Sequence, residues 1–275
     1  MSTVYDVAVV GSRGFLGSAI ADDLERRGAS VGRFTRERPF AGEASTVVWA
    51  VGHVTPADTS GAADALADLS GLIETVRRSP HTTKIVTLSS GGAVYGPPAA
   101  APFSEDDEPS PSNDYGRIKL KEEALLGEAD IPFTALRLAN PYGAAQAQPG
   151  ARHGVVGAWM RAILAGEPLT IYGDGSTRRD FVYIDDVTGA IAAAVERGAA
   201  GAVNIGSGVG TSLAELLEAV TIAVAPRKVD VRWEPARGID APNNWLDVRR
   251  ARDELGWEPT TPLADGLARM WAATA

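Results

Sequence analysis

Val4-Tyr-Asp-Val-Ala-Val-Val10 runs directly into Gly11-Ser-Arg-Gly-Phe-Leu-Gly17, and a stretch with the apolar spacing of a helix follows over residues 18–27. The first run is rich in β-branched residues, as buried strands are, and Gly28 ends the helical stretch. Glycines at every third position between a strand and a helix let backbone N–H groups approach a pyrophosphate at the helix N-terminus. This stretch therefore predicts a β-turn-α unit that binds a dinucleotide.

The same alternation continues along the chain and predicts its fold class. Further strands are predicted over 30–34, 46–51, 84–88, 133–138 and 180–184. Further helices are predicted over 63–78, 115–128, 155–164 and 185–197, after position 212 and after position 261. Strands that alternate with helices favour an α/β fold, a doubly wound parallel sheet (Rossmann) with a smaller C-terminal lobe.

The second half of the chain supplies the predicted domain boundary and two helix caps. Asn140-Pro-Tyr-Gly143 and the Gly/Gln/Pro-rich residues after it mark a change of organisation. We expect Asp185 to cap the helix that follows it, and Ser212 with Glu215 has the spacing of a capping box. The predicted domains are a dinucleotide-binding domain of residues 1–140 plus about 180–205, and a nucleotide-sugar-binding lobe of residues 141–179 plus 206–275.

Composition narrows the class of protein. The 275 residues are 45% hydrophobic, enough for a sizeable core, but no apolar run is long enough to span a bilayer. A net charge of −9 argues against nucleic acid or a membrane as the main partner. Without cysteine there are no disulfides or thiolate ligands, and with 3 His we predict no metal site. The N-terminal residues lack a signal-peptide pattern, so the expected compartment is the cytoplasm.

The residues after the second predicted strand distinguish two cofactors. An acidic residue usually binds the ribose 2′-OH of NAD(H) there, whereas this chain has Arg33-Phe-Thr-Arg36. Forked guanidinium donors suit a 2′-phosphate, and Arg13 in the glycine turn adds another. NADP(H) is the preferred cofactor and NAD(H) the alternative, although Arg33, Arg36 and Arg38 also fit a solvated basic edge. The predicted cofactor contacts are Gly11, Arg13, Gly14, Phe15, Leu16, Gly17, Arg36, Ala50, Val51, Tyr115 and Lys119.

Tyr115-Gly-Arg-Ile-Lys119 places a phenol and an ammonium one turn apart on the same helical face. A nearby ammonium favours the phenolate, so Tyr115 is predicted to exchange a proton with the substrate while Lys119 assists it and holds the ribose. The spacing alone also fits a surface helix pair. Its position favours catalysis, because it follows Leu88-Ser-Ser-Gly-Gly-Ala-Val-Tyr-Gly96, a predicted strand end at the edge where doubly wound sheets bind ligands.

These motifs together resemble those of the extended short-chain dehydrogenase/reductases, specifically the nucleotide-sugar epimerase, dehydratase and ketoreductase group. The resemblance also rests on Leu136-Arg-Leu-Ala-Asn-Pro-Tyr-Gly143, Ile171-Tyr-Gly-Asp-Gly-Ser-Thr-Arg-Arg-Asp-Phe-Val-Tyr-Ile-Asp-Asp186, Asn204-Ile-Gly-Ser-Gly208 and Leu255-Gly-Trp257. It implies a nicotinamide cofactor, a nucleoside diphosphate sugar as substrate and a homodimer. It also implies that Tyr115 is the acid/base, that Lys119 is its partner, and that substrate contacts lie at Asn140, Tyr172, Arg179, Arg237 and Asn244.

The predicted substrate contacts have a physical rationale of their own. A diphosphate needs charge-assisted donors, which Arg179 and Arg237 supply, although surface ion pairs with Asp180 or Asp240 are the other interpretation. Val155, Trp159 and Tyr172 are candidates for the lining of the nucleotide pocket. For Trp159, helix packing explains the sequence equally well.

One departure from the family pattern affects the predicted catalytic set. The family has Ser or Thr four residues before the tyrosine of Val-Tyr-Gly, and this chain has Gly91 there. Either the hydroxyl of Ser90 or a water molecule replaces the missing group, so Ser90 joins Tyr115 and Lys119 as a candidate catalytic residue. Capping of the strand end is the other interpretation of Ser89 and Ser90.

Three functions are compatible with these residues. The favoured one is an NADP(H)-dependent reductase of a 4-keto group on a nucleotide-linked deoxysugar, with Tyr115 as proton donor. The alternative is a nucleotide-sugar 4-epimerase, in which Tyr115 first takes and then returns the proton. A non-catalytic NADP-binding regulator is the third. A 4,6-dehydratase is disfavoured, because its acidic pair is replaced by Gly92 and Ala93.

Overall fold

The computed structural model describes residues 4–97, 100–147, 154–236 and 243–275, in which strands and helices alternate. The strands are β1 (Tyr5–Val10), β2 (Val31–Phe34), β3 (Ala44–Trp49), β4 (Lys84–Ser90), β5 (Phe133–Leu138), β6 (Asn140–Tyr142), β7 (Leu169–Tyr172), β8 (Arg178–Tyr183), β9 (Gly201–Ile205), β10 (Gly210–Ser212) and β11 (Val231–Glu234). The helices are α1 (Phe15–Arg26), α2 (Ala62–Arg78), α3 (Gly91–Val94), α4 (Asp114–Gly127), α5 (Val155–Ala165), α6 (Ile184–Glu196), α7 (Leu213–Ala223) and α8 (Leu263–Ala272). A 3₁₀ turn at Ala144–Ala147 and a π-helical turn at Ala251–Leu255 complete these elements.

A six-stranded parallel sheet in the order β2-β1-β3-β4-β5-β9 forms the centre of the molecule. On one face Leu24 of α1 and Val187 of α6 pack against the sheet. On the other face the packing residues are Leu69 of α2 and Leu126 of α4. The predicted doubly wound α/β fold is confirmed. Because the strand order changes direction between β1 and β3, a ligand crevice is expected at their carboxyl ends.

Two smaller sheets lie outside the central one. β10, β8 and β6 form a three-stranded sheet, and β11 pairs in parallel with β7. A second apolar cluster, which includes Trp159, Met160, Leu216 and Leu267, packs around them. In the segment predicted to return to the dinucleotide-binding domain, β8 pairs within the small sheet whereas β9 pairs with β5. The domain boundaries given above remain a prediction.

Two helix starts differ from the sequence predictions. Helix α1 begins at Phe15 with Gly14 as its N-cap, inside the glycine turn rather than after it. The N-cap of α6 is Tyr183, and Asp185 lies within the first turn, so the prediction that Asp185 caps this helix is wrong. Its neighbour Asp186 accepts instead from the backbone N–H groups of Thr260 and Thr261, at 3.1 and 2.9 Å.

Other local predictions correspond to the structure. The Ser212 hydroxyl accepts from the Glu215 N–H, and the Glu215 carboxylate accepts from the Ser212 N–H, so the capping box is confirmed. The strands β6, β7, β9, β10 and β11, which are three to five residues long, were not predicted, because strands this short carry little periodicity. In the described part of the chain, no helix has the length and apolar character needed to cross a membrane.

Candidate active site

The glycine turn lies at the carboxyl ends of β1 and β3, where the crevice is expected. Gly11 has a φ of +91°, and a Cβ on it would lie 2.6 Å from the Ala50 carbonyl oxygen. A Cβ on Gly17 would collide with the Gly11 carbonyl oxygen. The N-cap of α1 is Gly14, so no N-cap side chain accepts from the first N–H groups of the helix. The turn therefore fits a dinucleotide pyrophosphate, which needs bare backbone donors at a helix N-terminus.

The other predicted cofactor contacts near this turn lie in two places. Phe15 and Leu16 are partly buried and pack against the apolar cluster of the smaller sheets. Ala50 and Val51 follow β3, and the Ala50 N–H donates to the Val10 carbonyl at 2.8 Å. Phe15 and Leu16 begin α1, and Ala50 and Val51 directly follow β3, while their role as cofactor contacts stays a prediction.

The turn after β2 brings together basic and acidic side chains. Thr35 occupies the position directly after β2, and its hydroxyl donates to Glu37 Oε2 at 2.8 Å. Arg13 Nη1 contacts the same carboxylate oxygen at 3.1 Å. The Thr35 hydrogen bond, a backbone hydrogen bond and the charge of Arg13 lower the pKa of Glu37. Glu37 was not predicted, because an acid was expected only at the strand end itself.

The other arginines of this loop have different neighbours. Arg33 contacts Glu25 at 2.8 Å and Asp22 at 2.5 Å on α1, and hydrogen bonds to Glu25 and then Asp22 raise its pKa. Arg33 therefore belongs to a surface ion cluster, as the basic-edge interpretation had it. Arg36 Nη2 lies 2.9 Å from Nδ1 of His53, in the loop after β3. Arg36 thus lies at the carboxyl ends of β2 and β3, beside the glycine turn.

Helix α4 carries the predicted Tyr-Lys pair. The Asn113 side chain caps the helix by accepting from the Gly116 N–H at 2.9 Å. Gly116 has no room for a Cβ against the Ala93 carbonyl, so α4 packs closely on α3. This places the Lys119 Nζ atom 6.0 Å from the centre of the Tyr115 ring. The two side chains are brought together at the carboxyl end of β4.

Lys119 is buried and makes an ion pair that was not predicted from the sequence. Its Nζ atom donates to Glu122 Oε2 at 2.8 Å and to the Leu88 carbonyl at 3.3 Å. Burial alone would lower the pKa of Lys119, but the charges of Glu122 and Tyr115 outweigh it and raise this pKa. Spacing of i and i+3 on α4 was the available signal for the Lys119–Glu122 pair. Lys119 therefore keeps its ammonium form despite burial.

The hydroxyls at the end of β4 have separate roles. Ser89 donates to Glu123 Oε1 at 2.5 Å, and Arg137 Nη2 donates to the other oxygen of Glu123 at 2.7 Å. Ser89 is therefore part of a polar network between β4, β5 and α4. Ser90 is half-buried and is the N-cap of α3, without a side-chain cap bond. The Ser90 hydroxyl therefore makes no capping hydrogen bond. The catalytic role of Ser90 stays a prediction.

Gly91 stands where the family has a hydroxyl, and its surroundings leave no space for one. A Cβ built on Gly91 would lie 2.6 Å from Leu246 Cδ1 and 3.0 Å from the Arg137 carbonyl oxygen. The Gly91 carbonyl accepts from Asn244 Nδ2 at 3.2 Å. Leu246 therefore fills the place that a side chain at position 91 would need.

A cavity of about 500 Å³ opens between α5, β7 and β8. Three of the predicted substrate contacts, Asn140, Tyr172 and Arg179, line it together with Val155 and Trp159. Trp159 also packs in the apolar cluster, and its Nε1 donates to the Thr170 carbonyl at 3.3 Å. Trp159 thus both lines the cavity and packs in the core, while its role in a nucleotide pocket stays a prediction. The cavity has an apolar wall with a few polar groups, as ligand pockets have.

Asn244 and Arg237 are the other two predicted substrate contacts. Asn244 is 4% exposed and forms a β-bridge with Arg179 at the end of the cavity wall. Arg237 and its neighbour Asp240 lie outside the described residues. The Asp180 carboxylate accepts from the N–H groups of Ser207, Gly208 and Leu246, and burial raises its pKa. Asp180 therefore organises the loop behind the cavity.

A glycine turn at the switch point of a doubly wound sheet, with a Tyr-Lys pair at the neighbouring strand end, defines a dinucleotide-binding protein of the short-chain dehydrogenase/reductase type. The chain belongs to the NAD dependent epimerase/dehydratase family, whose model matches residues 49–206. Among the described residues, no group of three His, Asp or Glu side chains is placed to hold a metal ion.

Two curated relatives have different activities. A UDP-glucose 4-epimerase of Mycolicibacterium smegmatis is 38% identical over 75% of this chain and 67% of its own length. A dTDP-4-dehydro-6-deoxyglucose reductase of Escherichia coli is 35% identical over 68% of this chain and 60% of its own length. The chain thus aligns with about two thirds or less of these relatives.

Solved structures match over nearly the whole chain. A UDP-glucose 4-epimerase of Thermotoga maritima, solved with UDP-glucose, is 27% identical with a TM-score of 0.82, and 97% of each chain is covered. A UDP-glucose 4-epimerase of Thermus thermophilus, solved with NAD, gives the same TM-score and identity over 98% of each chain.

Proposed function

We propose that the protein is an NADP(H)-dependent reductase that acts on the 4-keto group of a deoxysugar linked to a nucleoside diphosphate. The observation that carries this proposal is the turn after β2, where Thr35 replaces the usual acid and Arg36 lies beside the glycine turn. A reductase draws electrons from the reduced NADP pool, so a 2′-phosphate site benefits it. An epimerase regenerates its cofactor in each turnover and gains nothing from such a site.

Tyr115 is the proposed proton donor. When bound, the nicotinamide would supply the hydride to the carbonyl carbon, C4 of the sugar. Tyr115 transfers its hydroxyl proton to the carbonyl oxygen, so a C4 hydroxyl forms and the phenolate is left. The buried ammonium of Lys119, 6.0 Å from the ring centre, stabilises that phenolate. Ser90 is the proposed hydroxyl on the sugar oxygen, because Leu246 blocks the family position at Gly91.

The cavity between α5 and β8 is the proposed nucleotide site. Tyr172 and Trp159 offer aromatic faces for a base, and Arg179 offers charge for the diphosphate. Asn140 holds the wall in place, because its Nδ2 donates to the Asp180 carbonyl at 2.8 Å. Asn244 and Arg237 complete the proposed substrate contacts. We also propose a homodimer, which the family resemblance supports and sedimentation equilibrium tests.

A nucleotide-sugar 4-epimerase is the second candidate. Glu37 favours it, since a carboxylate in the turn after β2 also suits the free 2′-OH of NAD(H). The epimerases among the relatives point the same way. In this reaction Tyr115 takes the C4 hydroxyl proton while the bound NAD⁺ would accept the hydride from C4. The hydride would then return to the opposite face of the 4-keto sugar, and Tyr115 returns the proton to the C4 oxygen.

The nucleotide content of the purified protein tests the two candidates. Nucleotide released by heat is identified by mass, and the emptied protein is titrated with NADPH and NADH. A reductase is expected to arrive without tightly held nucleotide, to bind NADPH more tightly than NADH and to oxidise NADPH with 4-keto sugar nucleotides. Retained NAD⁺, with interconversion of two 4-epimers and no net oxidation, would replace the reductase by the epimerase.

Tyr115→Phe separates an enzyme from a regulator. The variant lacks only the hydroxyl, so we expect NADPH affinity to stay within about twofold while turnover falls by at least about a hundredfold, a typical contribution of a general acid. Turnover that persists unchanged in Tyr115→Phe contradicts the proposed role of Tyr115. The regulator is favoured if the wild type and Tyr115→Phe both bind NADPH tightly but neither turns over any 4-keto or 4-hydroxy sugar nucleotide.

A further inference from the structure

Three side chains from separate elements meet beside the glycine turn. Arg36 follows β2, His53 follows β3, and Asp68 lies on α2. Arg36 Nη2 is 2.9 Å from His53 Nδ1, and His53 Nε2 is 2.8 Å from Asp68 Oδ2. We call these residues the Arg36 support. Neither His53 nor Asp68 belongs to the Gly11–Gly17 turn or to the Tyr-Lys pair.

The tautomer of His53 follows from its neighbours. A guanidinium only donates hydrogen bonds, so Nδ1 must accept and the ring proton sits on Nε2. Nε2 lies 2.8 Å from Asp68 Oδ2, at ion-pair distance, but does not form a regular hydrogen bond with it. The imidazole therefore lies between the Arg36 guanidinium and the Asp68 carboxylate.

His53 is held in place by packing. Its side chain is 7% exposed, whereas Arg36 is exposed. Gly61, the N-cap of α2, lies against it, since a Cβ there would be 2.6 Å from the His53 carbonyl oxygen and 3.3 Å from its Cβ. A long arginine side chain normally loses rotamer freedom when it binds a ligand. The fixed ring restricts Arg36 before any ligand arrives.

The group that Arg36 contacts also differs from the groups that Arg13 and Arg33 contact. Arg13 contacts Glu37, and Arg33 contacts Asp22 and Glu25. Arg36 contacts a ring nitrogen of His53 rather than a carboxylate, and Arg38 likewise contacts the Tyr5 hydroxyl and the Phe34 ring. Among these arginines, Arg36 combines a restricted side chain with a charge that a phosphate can use.

We propose that His53 and Asp68 are positioning residues that hold Arg36 toward the 2′-phosphate of NADP(H), and that this support gives the protein its discrimination between NADPH and NADH. The inference rests on the proposed NADP(H)-dependent function. His53 acts on Arg36, which would bind the phosphate, and touches neither the nicotinamide nor the sugar.

Binding measurements without turnover test the inference. The dissociation constants of NADPH, NADH, 2′,5′-ADP and 5′-AMP are measured by titration for each protein. Arg36→Met keeps the length of the side chain but not its charge. Its ratio of NADPH to NADH dissociation constants defines a complete loss of discrimination. In His53→Leu we expect NADPH and 2′,5′-ADP to bind about tenfold more weakly, roughly the value of one charge-assisted contact, with NADH and 5′-AMP changed by less than about twofold.

Two further variants and one control sharpen the test. His53→Asn keeps an amide oxygen near the position of Nδ1 and is expected to recover most of the discrimination. Asp68→Asn removes the charge behind the ring and is expected to lose about threefold, less than His53→Leu, because Asp68 is half exposed. His81→Leu changes an exposed histidine outside the cluster and is expected to bind all four ligands as the wild type does.

Failure of this inference and failure of the proposed cofactor preference give different results. Wild-type protein that binds NADPH and NADH equally contradicts both. If the wild type prefers NADPH and Arg36→Met loses the preference but His53→Leu keeps it, the positioning role is wrong and the cofactor proposal stands. Equal weakening of all four ligands in His53→Leu assigns the residue a purely structural role and also overturns the inference.

Discussion

At the scale of single residues, the buried Lys119–Glu122 pair gives a prediction about stability. Both side chains are less than a tenth exposed, and the Nζ–Oε2 distance is 2.8 Å. Removing one partner leaves the other charge buried and unpaired, which costs about 3–5 kcal/mol. We therefore expect Glu122→Ala to lower the free energy of unfolding by that amount in urea titrations. Glu128→Ala, an exposed change at the end of the same helix, is the control and should change it by less than about 0.5 kcal/mol.

Gly91 and Leu246 are predicted to be energetically coupled. A hydroxymethyl group at position 91 overlaps with Leu246, so Gly91→Ser alone should destabilise the protein by about 1–3 kcal/mol, the usual cost of overpacking. Leu246→Ala should relieve part of that cost, and a double-mutant cycle on the unfolding free energy measures the coupling. Strictly additive effects of the two substitutions would show that Leu246 does not occupy this space.

Glu105 is expected to make stability depend on pH. Burial raises its pKa, although its carboxylate accepts from the Asn204 N–H at 2.6 Å. An acid with a raised folded pKa binds its proton more tightly when folded, so its contribution falls as pH rises above the unfolded value of about 4.3. Relative to wild type, Glu105→Gln should thus gain stability between pH 4 and pH 7. Urea titrations of both proteins at pH 4 and at pH 7 check this. The same difference in unfolding free energy at the two pH values would contradict it.

At the scale of secondary-structure elements, the capping box of α7 allows a direct test. Ser212→Ala removes the acceptor of the Glu215 N–H, so the unfolding free energy should fall by about 1 kcal/mol. Ser70→Ala is the control, because the Ser70 hydroxyl only bonds back to the Leu66 carbonyl within α2. Equal losses in the two variants would mean that the cap itself contributes nothing.

The elements also show what a sequence can predict. The β1-turn-α1 unit was recognised because its strand run, glycines and helical spacing are contiguous and have a local physical meaning. The capping box at Ser212 was recognised for the same reason. Helix α4 was recognised, but the ion pair of Glu122 depends on the sheet behind it, which alone decides that this face is buried.

The candidate site was less predictable wherever it combines distant segments. Glu37 meets Arg13, His53 meets Arg36, and Asp68 meets His53 only after β2, β3 and α2 are packed together. Leu246 reaches Gly91 across 155 positions of sequence. No spacing pattern marks such contacts, because neither residue type is unusual in its own segment.

At the scale of the whole molecule, ligand binding should stabilise the protein as one unit. Anything that binds only the folded state adds RT ln(1 + [L]/Kd), about 2.7 kcal/mol at a hundredfold excess over Kd. We expect NADPH at that excess to raise the unfolding free energy by this amount in a single transition followed by fluorescence and by circular dichroism. Two separate transitions, of which only one moves with NADPH, would contradict it.

Helix α1 belongs to both apolar clusters, since Ile20, Ala21 and Leu24 pack into one while Phe15 and Ala19 pack against the other. Because α1 packs in both clusters, opening of one cluster alone does not expose its amide hydrogens to exchange. Its central amides should therefore be among the slowest to take up deuterium. By the same reasoning, a protease that cuts in the loops should leave no stable fragment around either cluster. Separation from α1 would expose apolar side chains of that cluster to water.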